Sequence, residues 1–295
     1  MLYKIRHVTR FDYARAVAFA RCNLRLQPIL WSGQQILDYD LKIEPSGRTA
    51  PARAEAGLAN VVRLVVETPV RALTITSSAT IRVDRMIPVP RPTDPTLAEI
   101  AALARASTDM SPASPAAYLF PTQQIPLDPV IAQWCAKDLD PGRGVLEAAF
   151  ALATRIQTEF DFDAKATLVD TPPREAFEKK RGVCQDFAQI MISGMRAAGL
   201  PAAYASGYLR TLPPHGQPRL VGADATHAWV LVWAGPQLGW VGVDPTNGIW
   251  MASDHIVIAI GRDYSDIAPV DGVVLGSGAQ KMEVSVDVAP IDELS

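Results

Sequence analysis

Arg181-Gly182-Val183-Cys184-Gln185-Asp186-Phe187 opens the most clearly amphipathic helix of this 295-residue chain and sets a cysteine on its first turn. Cys184, Phe187, Ala188, Met191, Ile192 and Met195 recur at three- and four-residue intervals, so they share one face, and that face must be buried. Gly182 supplies a flexible entry, and Gly199-Leu200-Pro201 a glycine stop followed by a proline that cannot continue the helix. A first-turn thiol faces unpaired backbone N–H groups and the positive end of the helix dipole, which favour thiolate over thiol; the same groups can hold an oxyanion. A lone cysteine on an apolar stripe is ordinarily a small core residue.

The downstream sequence makes Cys184 a candidate nucleophile instead. Asp224-Ala-Thr-His-Ala-Trp-Val-Leu-Val-Trp233 and Gly239-Trp-Val-Gly-Val-Asp-Pro-Thr246 each read as a strand with one titratable residue at an end, the first beginning at His227 and the second ending at Asp244. A tight connection through residues 234–238 makes them an antiparallel pair, which brings His227 at the start of one beside Asp244 at the end of the other. Imidazole then takes the proton from Cys184, and carboxylate on the other ring nitrogen fixes its tautomer. Trp229 and Trp233 have the parity of His227 and are candidates for an apolar wall beside it, with core packing as the plainer role.

Gly-Val-Cys-Gln-Asp-Phe-Ala (182–188), Thr-His-Ala-Trp (226–229) and Asp-Pro-Thr (244–246), in that order, resemble the bacterial transglutaminase-like superfamily of papain-type thiol enzymes. The likeness extends to Phe160-Asp-Phe-Asp-Ala164, to Thr171-Pro-Pro, and to the opening Leu2-Tyr-Lys-Ile-Arg-His-Val-Thr-Arg-Phe-Asp-Tyr13, which is similar to the β domain often fused to that core. The resemblance implies an α+β fold: a papain-like, transglutaminase-like core in which the cysteine's helix packs on an antiparallel sheet, preceded by an all-β, sandwich-like domain. It assigns nucleophile to Cys184, base to His227 and orienting carboxylate to Asp244. Animal transglutaminases carry Trp directly after the cysteine; Gln185 stands there in this chain, so calcium activation and transfer to a lysine amine do not carry over.

At 48% apolar composition the chain can bury a substantial core. No run approaches the roughly 18 apolar residues of a membrane span, and the opening residues enter a strand pattern with no signal-peptide core, so a cytoplasmic protein is expected. Cys22, Cys135 and Cys184 are widely spaced, odd in number and without a Cys-x-x-Cys pair, which argues against a disulfide framework and a structural zinc site; Cys22 and Cys135 read as structural. A net charge of −3 gives no field for nucleic acid or an anionic membrane. Arg6, Arg10, Arg15, Arg21 and Arg25, interleaved with aromatics, read as the solvated side of half-buried strands.

Residues 1–88 read as a β domain with strands over 3–13, 21–27, 36–43, 61–67 and 72–83. The proline-rich Ile87-Pro-Val-Pro-Arg-Pro92 opens a segment of linker and short helices over 89–141, and 142–295 is the expected catalytic domain, completed by strands over 256–260 and 282–288. Asp161 and Asp163 read as solvated turn acids, His215 as a loop residue, and His7 and His255 as structural or surface groups.

The expected chemistry is thiol-dependent hydrolysis of a peptide or amide, with no cofactor and no metal: Cys184 attacks, His227 moves the proton, Asp244 orients the ring, and water resolves the acyl-enzyme. The Cys184 N–H is the first oxyanion candidate and Gln185 the second. Two alternatives stand beside this: acyl transfer to an amine, and a binding or scaffold protein that keeps the fold without chemistry. Oligomeric state and substrate identity are left open.

Overall fold

The computed structural model describes residues 1–210, 226–276 and 278–291. In chain order the strands are β1 (Leu2–Val17), β2 (Phe19–Gln27), β3 (Gln34–Glu44), β4 (Arg48–Ala52), β5 (Leu58–Val66), β6 (Val70–Val83), β7 (Asp161–Phe162), β8 (Arg181–Gly182), β9 (Ala202–Leu209), β10 (Thr226–Trp233), β11 (Trp240–Asp244), β12 (Ile249–Trp250), β13 (His255–Gly261), β14 (Val270–Leu275) and β15 (Gln280–Ile291). The helices are α1 (Leu97–Arg105), α2 (Pro129–Cys135), α3 (Val145–Glu159), α4 (Pro173–Lys179), α5 (Cys184–Ala197) and α6 (Tyr264–Ile267).

Alternation builds the first sheet. Tyr3, Ile5, His7 and Thr9 of β1 are buried while Lys4, Arg6 and Arg10 between them face water, the pattern of a strand with one covered face. Arg15 and Arg21 are also exposed. Arg25 departs from the expected solvated row: it is buried, pairs with Asp271 and donates to the Ala268 carbonyl at 3.0 Å, which gives its charge partners away from water.

The four strands of this sheet run antiparallel in the order β15-β1-β6-β3. A second, nine-stranded sheet has the order β12-β11-β10-β9-β13-β5-β2-β14, with β4 on the side of β5. Tyr13, Val17, Leu73 and Ile75 of the first sheet meet Leu24, Leu26, Leu64 and Val66 of the second, which makes the β-rich N-terminal region a sandwich. Further along the same strands, Tyr3, Ile5 and Ile81 pack on Tyr208, Ile256 and Ile258, so the first sheet also covers part of β9 and β13.

The segment 282–288, expected in the catalytic sheet, extends over the whole of β15 and pairs with β1 instead. Val286 and Val288 are buried against the Tyr3 cluster, and that contact places the strand. β14 had no counterpart in the sequence reading; it closes the far edge beside β2.

α5 packs across β9 and β10, with α2 and α4 on its other sides. Phe187, Ala188, Met191, Ile192 and Met195 are buried as their spacing predicts, in a core shared with α3 and β10. A Cβ at Gly194 would stand 2.2 Å from the Cys135 sulfur, so this glycine admits α2 to the helix surface. Arg196, also buried, donates to the carbonyls of Tyr118, Phe120, Ala202 and Arg262 and ties the end of α5 to its surroundings.

Candidate active site

The site is assembled where the start of α5 meets β10 and β11. Val183 is the N-cap residue and has no side chain able to cap, so the carboxylate of Asp186 reaches back instead: its Oδ2 accepts from the Val183 N–H at 2.7 Å and from Thr167 Oγ1 at 2.6 Å. Asp186 is fully buried, and burial raises its pKa against the lowering effect of these bonds. A Cβ at Gly182 would lie 2.6 Å from that same oxygen, which explains a glycine two residues before the cysteine. Arg181 does not reach Asp186; it faces Asp161 and Asp163, each at 3.8 Å. With the Val183 N–H occupied, the Cys184 N–H stands next, ahead of the first intrahelical bond from Phe187 to Val183.

β10 and β11 pair antiparallel with Val230 opposite Val243 and Trp233 opposite Trp240. This register brings His227 Nε2 to 2.8 Å from Asp244 Oδ2. Nδ1 is the nitrogen left for Cys184, whose half-buried thiol lies within hydrogen-bonding reach of the ring. Burial alone would lower the His227 pKa; the bonds to Asp244 and Cys184 and the charge on both outweigh it and raise the pKa well above that of an ordinary histidine.

Asp244 is fully buried, yet hydrogen bonds and the His227 charge hold its pKa far below the usual carboxylate range. Its Oδ1 accepts from the backbone of Thr246 at 2.9 Å and of Asn247 at 3.2 Å, an Asx turn. Its Oδ2 accepts from His227, from Asn247 Nδ2 at 2.7 Å, and from His255 Nε2 at 3.2 Å.

His255 is the residue sequence reading missed. It is fully buried, and its Nδ1 accepts from the Ala252 N–H at 3.3 Å, which leaves the proton on Nε2 for Asp244. Burial lowers its pKa and keeps it neutral. Arg85 donates to the His255 carbonyl at 2.5 Å and to the Ala252 carbonyl at 3.3 Å, fastening the backbone that presents the ring. A histidine heading the apolar run Ile256-Val-Ile-Ala-Ile260 was the available signal of burial.

Of the two tryptophans expected beside His227, Trp229 is there. Its ring stacks on His227 with centroids 6.0 Å apart, meets His255 edge-on at 5.2 Å, and is fully buried. Trp233 keeps the parity but lies six residues along the strand, roughly 20 Å at strand rise, where it is partly buried against the main core. The Gln185 carboxamide is buried and donates to the Val169 carbonyl at 2.8 Å. That bond turns it to the loop before α4 and away from the role of second oxyanion donor. His215 lies outside the described residues.

Among the described residues, one group of three could offer ligand atoms to a metal: His227, Asp244 and His255, all within 4.8 Å of one another. Those atoms already face each other through ring protons, and Asn247 occupies the same carboxylate oxygen. The donor set therefore suits a hydrogen-bonded network better than a cation.

Residues 132–245 match the transglutaminase-like superfamily, and residues 3–82 match the bacterial transglutaminase-like N-terminal region. An uncharacterized protein of Mycobacterium tuberculosis is 34% identical over 298 residues, covering 98% of this chain and 93% of that protein. The crystal structure of a candidate cysteine protease from Cytophaga hutchinsonii superposes with a TM-score of 0.72 at 20% identity, over 99% of this chain and 92% of the other, and shows the same fold. A Pseudomonas aeruginosa protein-glutamine gamma-glutamyltransferase shares 42% identity over a 71-residue stretch, 24% of this chain and 10% of that protein. The chain belongs to the transglutaminase-like superfamily, in the form that carries the bacterial N-terminal region.

Proposed function

We propose that this protein is a thiol-dependent amidohydrolase acting on peptides or related amides. The observation that carries the reading is the His227 ring held between the Cys184 thiol and a carboxylate with five hydrogen-bond donors on it. Cys184 Sγ attacks the carbonyl carbon as its proton passes to His227 Nδ1, and the Cys184 N–H supports the oxyanion. The tetrahedral intermediate collapses, the C–N bond breaks, and His227 returns the proton to the leaving amine. Water, deprotonated by the same ring, then releases the acid. Asp244 keeps Nε2 protonated and the ring in plane throughout.

Acyl transfer to an amine shares every step but the last, and the short match to the Pseudomonas glutamyltransferase favours keeping it as the second reading. A cytoplasmic setting is part of the proposal and rests on three free cysteines, two of them buried. No described helix is long and apolar enough to cross a membrane.

p-Nitrophenyl acetate tests the acyl-enzyme directly. A burst of one equivalent of nitrophenol, with an acetyl adduct on Cys184 by mass spectrometry that decays to acetate, is expected; Cys184→Ala loses it. Methylacetamide formed when methylamine is added would move the assignment to transfer. Acylation of Cys184 no faster than that of free cysteine would refute both.

A further inference from the structure

β13 is paired along its length on one side only. β9 runs beside it from His255 to Gly261, whereas β5 reaches it at Ala259 and Ile260 alone. Among the described residues no strand lies on that second side next to His255, Ile256 and Val257, and backbone groups pointing there need other partners.

Side chains from the first 85 residues take the place of the missing strand. The Gln34 carboxamide, 6% exposed, meets the Val257 backbone as a neighbouring strand would: Oε1 accepts from the Val257 N–H at 2.8 Å and Nε2 donates to the Val257 carbonyl at 2.8 Å. Nε2 also donates to the Ile29 carbonyl at 2.8 Å, and Oε1 also accepts from Arg85 Nη2 at 3.1 Å. Both amide protons and both lone pairs are thereby used, so the group has one orientation. Arg85 Nη1 donates to the carbonyls of both Ala252 and His255, and Tyr3 donates its hydroxyl proton to Asp254 Oδ1 at 2.6 Å. The turn that carries His255 is thus gripped at Ala252, Asp254, His255 and Val257 from the N-terminal region.

The parts of this clamp are fastened to each other. Gly33 has φ +67°, and a Cβ there would stand 2.3 Å from the Asp84 carbonyl oxygen, so the two backbones lie in contact. The Asp84 N–H donates to the Gly33 carbonyl at 2.8 Å, and Arg85 Nε to the Ser32 carbonyl at 2.9 Å. Arg85 acts through charge as well. Burial lowers its pKa only to about 10, so it is a cation at neutral pH; after burial itself, that charge also disfavours a proton on His255. A neutral His255 donates to Asp244 and leaves the carboxylate charge to His227.

We propose that Gln34 and Arg85 are positioning residues for the reaction, through which the N-terminal β region sets the His255, Asp244 and His227 network and completes the site. Both act through the backbone that carries His255. The proposal rests on Cys184, His227 and Asp244 being the reacting groups, and it gives the β region a part in the chemistry.

The test is the rate of Cys184 labelling by iodoacetamide in the full chain, read by mass spectrometry and expressed as the ratio of the rate at pH 6 to that at pH 9. An ordinary thiol ionises unaided at about pH 8.5, so the ratio reports the imidazole's hold on the thiolate and cancels changes in access. All rates are taken on the native baseline of each variant's melting curve, which keeps loss of folded protein out of the comparison. Arg85→Met should lower the ratio about tenfold, the effect of about one unit on the His227 pKa. Gln34→Glu, which turns a carboxylate oxygen against the Ile29 and Val257 carbonyls, should do the same and serves as the probe if Arg85→Met does not fold. Arg25→Met is the control: Arg25 is a buried arginine of the same sandwich whose partners are Asp271 and Ala268, and its loss should leave the ratio as in wild type. A wild-type ratio in folded Arg85→Met or Gln34→Glu, or an equal fall in Arg25→Met, would overturn the proposal. Failure of the thiol reading would look different, since labelling of the wild type itself would then rise only near about pH 8.5.

Discussion

The Nε2 of His255 lies 3.2 Å from Asp244 Oδ2, the same oxygen that receives His227. One buried carboxylate thus serves two imidazoles with opposite pKa shifts, raised for His227 and lowered for His255. The neutral ring acts as a fixed donor, and the other carries the proton chemistry. Removing the donor should loosen the carboxylate: His255→Leu is expected to cost about 1–3 kcal/mol of stability and to slow Cys184 acylation by p-nitrophenyl acetate. His255→Gln, which keeps an N–H, should recover part of both. Wild-type rates in His255→Leu would assign His255 to packing alone.

Asp244→Asn places an NH₂ where donors converge on both oxygens. The amide cannot satisfy them and no longer stabilises the His227 imidazolium. Acylation should fall by about 10² or more, and the melting temperature should fall with it. A variant as stable and as fast as wild type would remove Asp244 from the mechanism.

Gly182→Ala pushes a methyl group into the Asp186 carboxylate, which holds the Val183 N–H and Thr167. A loss of about 1–3 kcal/mol is expected from strain and the broken cap. Asp186→Asn should also lower the melting temperature. If Gly182→Ala melts like wild type, the cap is not rigid.

His7, buried between Tyr208 and Thr9, has its pKa lowered by burial to about 4. Its unfolded value, about 6.5, is higher, so below that pH the unfolded state binds the extra proton and stability declines as pH falls toward 4. The contribution lost is on the order of 3 kcal/mol. His255 acts in the same sense and His227 in the opposite one. Denaturant melts at pH 7 and pH 4.5 should therefore converge more closely in His7→Gln than in wild type; an unchanged pH slope would contradict this.

What was legible in the sequence was local or periodic. The burial of Phe187, Ala188, Met191, Ile192 and Met195 followed from residue spacing, which did not foretell that α5 is buried on every side from Gln185 to Arg196; the meeting of His227 with Asp244 followed from strand ends and a tight connection. His255 could not be placed that way, because β13 pairs with β9 and β5, and its approach to β11 comes from the fold of the whole sheet edge. β15 went to the first sheet for a similar reason: an alternating strand suits any half-covered sheet, and contacts more than 270 residues away in sequence select one. Parity correctly put Trp229 beside the imidazole but carries no distance, and distance removed Trp233. Gln185 was misplaced because a first-turn glutamine reads as surface until the loop at 168–172 is seen to cover it.

The most direct test of the central claim is the pH dependence of Cys184 alkylation by iodoacetamide, in wild type and in His227→Ala, with Cys22 and Cys135 replaced in both. Rapid labelling below pH 7 that disappears in His227→Ala is the predicted result, the signature of a thiolate held by imidazolium. Labelling that rises only near pH 8.5, about the range of an ordinary thiol, and is the same in both proteins would contradict the account.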